Sequence, residues 1–451
     1  MKNVFILSVF ALFLSAVEAL AQQPEIQYYR SWDKNGINVF EPSKKAPQPE
    51  YTGFKIRIGG AFTQDFQSLT HKNTPTYAAT SATNPANKNF LYGVVTAEDS
   101  TSAKLQGFNL AMANLNFDMQ IGDGIRVALE NYMSSRHHSE FWVKGGYIQM
   151  DKLPMFGNPK WFTDYMRVKI GHFQPNFGDM QFRRSDGGNT MFNPFVENLI
   201  FDAFTTEIGG EVYVFPVDGF MGMVGMTSGF INGNVENYAT TATGTNTEPT
   251  KKSPSIFAKV AYDKMFNDLR FRLSASIYNN NSIQRNTLYA GDRTGSHYFM
   301  VAEPVGGTYA ANKDSGRFTA MNVTNKVNAI SINPFIKFHG LEVFGAYEII
   351  KGRTYAERED RKFNQLAVEG LYRFLPNDQL YIGARYNKAT GRPVGFTSDI
   401  TIDRTAIAAG WFPTKNMLLK GEYVIQNYDG FTDYRKEASF NGFMLEAVIG
   451  F

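Results

Sequence analysis

The chain has 451 residues, no cysteine, 45 Lys and Arg against 42 Asp and Glu, and 39 Phe with 23 Tyr. Absence of cysteine rules out disulfides and thiolate metal sites, and a formal net charge of +3 is too small to point to a nucleic-acid partner. A mean hydropathy of −0.30 beside 15% aromatic residues suits a chain in which only alternate residues meet an apolar medium.

The start, MKNVFILSVFALFLSAVEALAQQ, has Lys2 as a positive n-region, an apolar run from Val4 to Val17, and Ala19-Leu20-Ala21 before Gln22. This predicts a secretory signal peptide over 1–21. After Ala21 no apolar run approaches the roughly 20 residues of a transmembrane helix. Residues 22–52, with Pro24, Pro42, Pro47 and Pro49, read as an extended periplasmic lead-in.

From Thr52 onward, period-two alternation recurs to the C-terminus. It predicts sixteen strands, near 53–66, 105–121, 124–135, 140–151, 164–173, 205–216, 219–228, 255–264, 268–279, 328–339, 340–352, 363–374, 379–389, 402–413, 416–427 and 440–451. Leu269, Phe271, Leu273, Ala275 and Ile277 oppose Arg270, Arg272, Ser274 and Ser276. The final strand sets Phe443, Leu445, Ala447, Ile449 and Phe451 against a mixed face with Glu446. Gly219, Gly222 and Gly225 interrupt a less regular segment, where glycine marks a bend or close approach.

Connections after even-numbered strands are mostly tight, as at Gly122–Gly124, Pro216–Gly219, His339–Gly340 and Pro413–Asn416; 151–163 is the exception. Connections after odd strands are mostly long: 67–104, 174–204, 229–254 and 280–327. Sorting of loops by strand parity is how outer-membrane barrels are built. The outward faces are read as free of Lys, Arg, Asp and Glu. The inward faces carry fourteen cations, among them Arg167, Lys169, Lys259, Arg270 and Arg272, against nine anions. Such charge density cannot fill a dry core, so the inward faces are expected to line water. These features predict an all-β fold, a transmembrane antiparallel barrel over 53–451 with short periplasmic turns and long extracellular loops.

The segment Gly171–Phe204, GHFQPNFGDMQFRRSDGGNTMFNPFVENLIFDAF, is rich in Phe and contains Arg183-Arg184. A loop this apolar is expected to fold into the lumen and present its arginines there. With Gly171, Phe173, Pro175 and Phe177 it resembles the phosphate-selective porin O/P family, with Asn176 where that family usually carries Pro. The lead-in DKNGINVF and the FKIRIGGAFTQDFQ that follows also look like Bacteroidetes-type porins. The resemblance implies a trimer, a third loop that constricts the channel, and Arg183 and Arg184 at that constriction. Arg167 and Lys169 would lie just below, with Lys259, Arg270 and Arg272 forming a second basic cluster. Glu207 and Glu211 would stand beside them as counter-charge. The terminal Phe451 strand similarly resembles the signal read by the barrel-assembly machinery.

No H-E-x-x-H, G-x-S-x-G, Walker A or G-x-G-x-x-G motif occurs among these residues. RHHSE at Arg136–Glu140 reads as an exposed loop pair. The expected function is a porin passing small hydrophilic solutes or anions, without cofactor or catalysis, amid outer-membrane lipid and lipopolysaccharide. An adhesive or ligand-binding surface barrel, motivated by 67–104 and 280–327, is the competing reading; a rim hydrolase is a third.

Overall fold

The computed structural model describes residues 23–74, 91–94, 102–135, 141–230, 252–283, 285–291, 296–304, 315–318 and 321–451. The expected signal peptide, His137 and His138 lie outside the described residues. Alternation produces β1 (Lys55–Lys72), β2 (Ser102–Gly122), β3 (Ile125–Ser134), β4 (Trp142–Met150), β5 (Met166–Phe173), β6 (Glu207–Val214), β7 (Phe220–Phe230) and β8 (Ser255–Phe266). It continues through β9 (Leu269–Asn280), β10 (Lys326–Phe338), β11 (Leu341–Arg353), β12 (Arg361–Phe374), β13 (Leu380–Gly391), β14 (Ile400–Thr414), β15 (Met417–Asp429) and β16 (Ser439–Gly450). Each strand pairs antiparallel with its sequence neighbours, and β1 pairs with β16 to close the barrel.

Closure removes the sheet edge, so the backbone groups of every strand are satisfied between strands. The register runs Ala61↔Gly450 through Lys72↔Ser439. Phe451 extends it: its N–H donates to the Gly60 carbonyl at 2.9 Å, and Gly60 returns a 3.1 Å bond. Its ring stacks on Phe62 at 6.3 Å. Along β16, Phe443, Leu445 and Ile449 are 59%, 56% and 54% exposed, while Met444, Glu446 and Val448 are buried. The exposed set faces lipid and the buried set faces the lumen.

The turns follow the expected chemistry. Phe338 pairs with Leu341 around a two-residue turn in which His339 has φ 49, and Gly124 closes the β2–β3 turn with φ 71. Such left-handed positions are supplied by glycine and tolerated by few other residues. The long β4–β5 connection contains a short helix, α1 (Lys160–Tyr165). Near it, Phe156 and Trp161 are exposed, as is Trp411 beside the β14–β15 turn. Aromatic rings at this level form the girdle of a membrane barrel.

Two expectations need correction. The outward faces carry Lys264, Lys351, Lys388 and Asp403. Each stands within three residues of a strand end, at headgroup level, where charge on the lipid face costs little. The inward faces do not line water at mid-height. Residues 23–50, 174–206 and the described parts of 281–325 enter the lumen and pack on the wall, leaving Phe40, Phe195, Val196, Ile200, Phe201 and Tyr298 buried. Acids on the inserted segments neutralise wall cations, which lets charge sit in a filled interior.

Candidate lumen constriction

A loop without regular structure can be buried only if its backbone finds partners. Here wall side chains supply them. Glu422 accepts from Val196 N at 2.8 Å, Asn387 Oδ1 from Ile200 N at 2.8 Å, and Gln365 Oε1 from Phe201 N at 2.7 Å. Lys420 donates to the Asn193 and Phe195 carbonyls, both at 2.9 Å. Arg385 and Arg404 donate to the carbonyls of Glu197 (2.6 Å) and Asn198 (2.9 Å). The inward polar residues of β12–β15 therefore act as a template for the loop after β5.

The structure places all seven sequence-predicted cations in or beside the lumen, and each has a carboxylate partner. Arg183 is buried; its guanidinium donates to Glu369 at 2.8 Å and to Asn38 of the lead-in at 2.6 Å. Arg184 donates to Asp186 at 2.5 Å and pairs with Asp202, while Lys144 holds the other Asp186 oxygen at 2.6 Å. Flanked by Arg184 and Lys144, Asp186 overcomes the penalty of burial and is held well below the usual carboxylate range. Arg167 pairs with Asp151 at 2.8 Å and Lys169 with Glu211 at 3.6 Å. Arg270 pairs with Asp263 at 2.7 Å.

Lys259 and Arg272 do come together, as their places on β8 and β9 imply, but around anions. Lys259 Nζ lies 2.6 Å from Asp179 and 2.8 Å from Glu41. Arg272 lies 2.8 Å from Asp179 and 2.7 Å from Glu41. Ser274 donates to Asp179 at 2.8 Å. Burial opposes ionisation of Glu41, yet Arg272 and Lys259 prevail and hold its carboxyl down at about 2.

Sequence reasoning missed the lead-in as a lumen element. Arg30 donates to the Phe182 carbonyl at 2.8 Å and lies 4.2 Å from the Phe192 ring centroid; Lys44 reaches Asp151 at 3.3 Å. A signal was present in Asn38, Phe40 and Glu41, an amide, an aromatic ring and an acid within four residues. Asn176, the departure from the family pattern, explains itself here. Its backbone N–H donates to Glu211 at 2.8 Å, a bond proline cannot make. Its side chain donates to Glu41 at 3.1 Å and to the Tyr213 hydroxyl at 3.2 Å, and accepts from Lys259 at 2.9 Å.

One further cluster, also missed, joins the loop after β9 to the wall. His297 Nδ1 lies 2.7 Å from Asp65 and 3.0 Å from Glu446, all three buried, and Lys420 also pairs with Glu446. Burial lowers the imidazole pKa, but Asp65 beside it raises it to about 10. With His297 protonated the four residues sum to zero. Asp65, His297 and Glu446 are the residues among those described that group as a metal-ligand set; a divalent ion replacing the proton would leave excess positive charge beside Lys420.

The lumen keeps space at both ends. A cavity of about 1250 Å³ opens at the short-turn end among Tyr28, Tyr29, Pro47, Arg57 and Asn416. Another of about 260 Å³ lies at the long-loop end among Asp202, Arg285, Tyr289, Arg317 and Phe318.

No protein-family model and no curated protein matches the chain; the likeness of Gly171–Phe177 to the phosphate-selective porins therefore has no family match behind it. Among solved structures, the outer membrane channel DcaP of Acinetobacter baumannii matches with a TM-score of 0.51 and 11% identity, over 90% of this chain and 100% of DcaP. Pseudomonas putida OprB matches at 0.49 and 9%, over 88% and 94% of the two chains. OmpT, an outer membrane protein of Vibrio cholerae, matches at 0.48 and 9%, over 89% and 99%. The shared property is the fold: this chain is a closed, sixteen-strand, outer-membrane-type β-barrel.

Proposed function

We propose that the protein is an outer-membrane porin, a non-enzymatic channel for small hydrophilic solutes. The observation that carries this reading is the lumen itself. A charged wall and a loop templated on it narrow the interior at mid-height to a packed, ion-paired layer, with cavities on either side, inside a lipid-facing cylinder. Anions, phosphate among them, are the solutes that Arg183, Arg184, Arg167, Lys169, Lys259, Arg270 and Arg272 would serve, by raising local anion concentration when their carboxylate partners give way. Refolded protein in planar bilayers is expected to show stepwise conductance with a reversal potential of anion-selective sign. Changing Arg183 and Arg184 to Glu should lower that preference. Folded protein without conductance would overturn the reading.

Assembly as a trimer is part of the proposal. β4, β5 and β6 have 9, 8 and 8 residues, whereas β10 to β15 have 12 to 15. Eight residues tilted near 45° rise only about 19 Å, less than the roughly 25 Å apolar band, and a neighbouring copy would cover the low wall. Lys351, Lys362 and Lys388, exposed near the long-loop rim, would meet lipopolysaccharide headgroups. The Phe451 strand would engage the barrel-assembly machinery. Residues 1–21 would direct export and be cleaved.

The filled mid-lumen favours a second reading, a ligand-gated or adhesive surface barrel. An electrically silent barrel that binds glycans would support it over passive diffusion.

A further inference from the structure

Glu41 is held unlike any other carboxylate of the lead-in. One oxygen takes Lys259 at 2.8 Å and Asn176 Nδ2 at 3.1 Å, and the other takes Arg272 at 2.7 Å. Those three groups belong to β8, the loop after β5, and β9, none of them near Glu41 in sequence. Lys259 and Arg272 share two close carboxylates, Glu41 and Asp179; Asp263, the 2.7 Å partner of Arg270, lies 3.5 Å from Arg272. Asp179 is built in: Ser274 donates to it, and its own backbone N–H donates to Asn333 at 3.0 Å. Glu41 arrives on a segment whose next residues, Pro42 to Lys45, include exposed positions. A cavity of about 270 Å³ lies beside it, bounded by Phe40, Lys44, Asp263, Arg270 and Arg272. That is room for several water-sized groups.

We propose that the Lys259–Arg272–Asn176 cradle is a binding site for the carboxylate of a small organic anion, and that Glu41 of the lead-in occupies it as a tethered stand-in. If Glu41 leaves, Lys259, Arg270 and Arg272 remain against Asp179 and Asp263, an excess of one positive charge, with two converging cationic donors and an amide. Such an arrangement suits a carboxylate, whose two oxygens accept in parallel. The lead-in is thereby an internal competitor: an anion that fills the cradle releases the segment, and the released segment unblocks the short-turn end of the lumen. This inference rests on the channel reading for its purpose but not for its test.

The chain has no cysteine, so Ser43→Cys in the full-length protein, on an exposed residue, gives one unique position for a nitroxide label. In detergent, succinate is expected to convert the label from an immobile to a mobile spectrum in a saturable way, while uncharged succinamide has no effect. In the Glu41→Gln background the label should be mobile without succinate, the mobile fraction rising roughly tenfold or more for loss of a charge-assisted contact. Lys259→Gln should abolish the response to succinate. A label that stays immobile at saturating succinate, or one that phosphate mobilises and succinate does not, overturns the carboxylate site. Conductance separates the two readings: label release without any channel leaves the cradle standing and removes the porin, whereas conductance without succinate-dependent release does the reverse.

Discussion

The wall of the barrel and the material inside it solve the same problem by different means. In the wall, each strand's backbone is satisfied by its neighbours, and side chains are left to choose between lipid and lumen. Inside, backbone has no ladder. The loop after β5 bonds instead to Glu422, Asn387, Gln365, Lys420, Arg385 and Arg404. A wall residue facing lipid therefore acts alone, whereas a lumen residue holds charge and foreign backbone together. Substitutions should be local and depth-dependent on one surface, and coupled across distant segments on the other.

The sharpest break of that contrast comes at Glu369, which accepts from Arg183 at 2.8 Å and Arg385 at 2.6 Å. Glu369→Ala leaves two buried guanidiniums without their anion, and a loss of about 3–5 kcal/mol is expected. Urea unfolding in vesicles would measure it, with larger conductance as a second sign that the loop has loosened. Next comes the lipid face: Leu445→Arg, on an exposed mid-strand position, should cost about 2–4 kcal/mol, read from the folding midpoint, without altering conductance. An equal change in conductance would show that the two surfaces are not independent.

Acid gives a graded test of the interior. The Glu41 carboxyl sits at about 2 against an ordinary 4.5. A depressed carboxyl contributes fully above its ordinary value and loses that contribution as pH falls through the folded one. Docking of the lead-in should thus be constant above about pH 4.5 and weaken toward pH 2. Around Glu41 stand Lys259, Arg272 and Asp179, with Arg270, Asp263, Glu211 and Tyr213 farther out. Of these, Asp179 is also held below the usual carboxylate range, against its burial, by Arg272 and Lys259. Spin-label mobility at position 43 across this range tests it; mobility that first rises near neutral pH would point to a different group. The smallest effect is expected at Lys351→Gln, near the end of β11 on the lipid face. At headgroup level a change of under about 1 kcal/mol is anticipated, seen as a slight shift in the unfolding midpoint.

The strands were readable because a barrel strand answers to one rule, alternation between two media, and that rule is local. All sixteen appear near their expected places, as do the tight turns at Gly122–Gly124 and His339–Gly340. The reading failed where position along the strand mattered more than face, as at Lys351, Lys388 and Asp403 near the headgroups. It also passed over Asp65, an inward acid of β1. Arg183 and Arg184 were recognisable as lumen residues from the Phe-rich loop around them. Their partners Glu369 and Asn38 were not, because those contacts join residues 186 and 145 positions apart; Asp186 and Asp202, 2 and 18 positions from Arg184, were passed over although they lie in the same segment.

By itself the amino-acid sequence determined the cylinder: which residues meet lipid, which meet the interior, and which end has short turns. These depend on period-two patterning and turn chemistry, both encoded within a few residues. Only the tertiary structure decided what fills the cylinder and how its charges are matched. Counting inward charges along the strands left an excess of cations. Glu41, Asp179 and Asp186 are the partners of the wall cations Lys259, Arg272 and Lys144, on segments whose entry into the lumen depends on the closed wall being there to receive them.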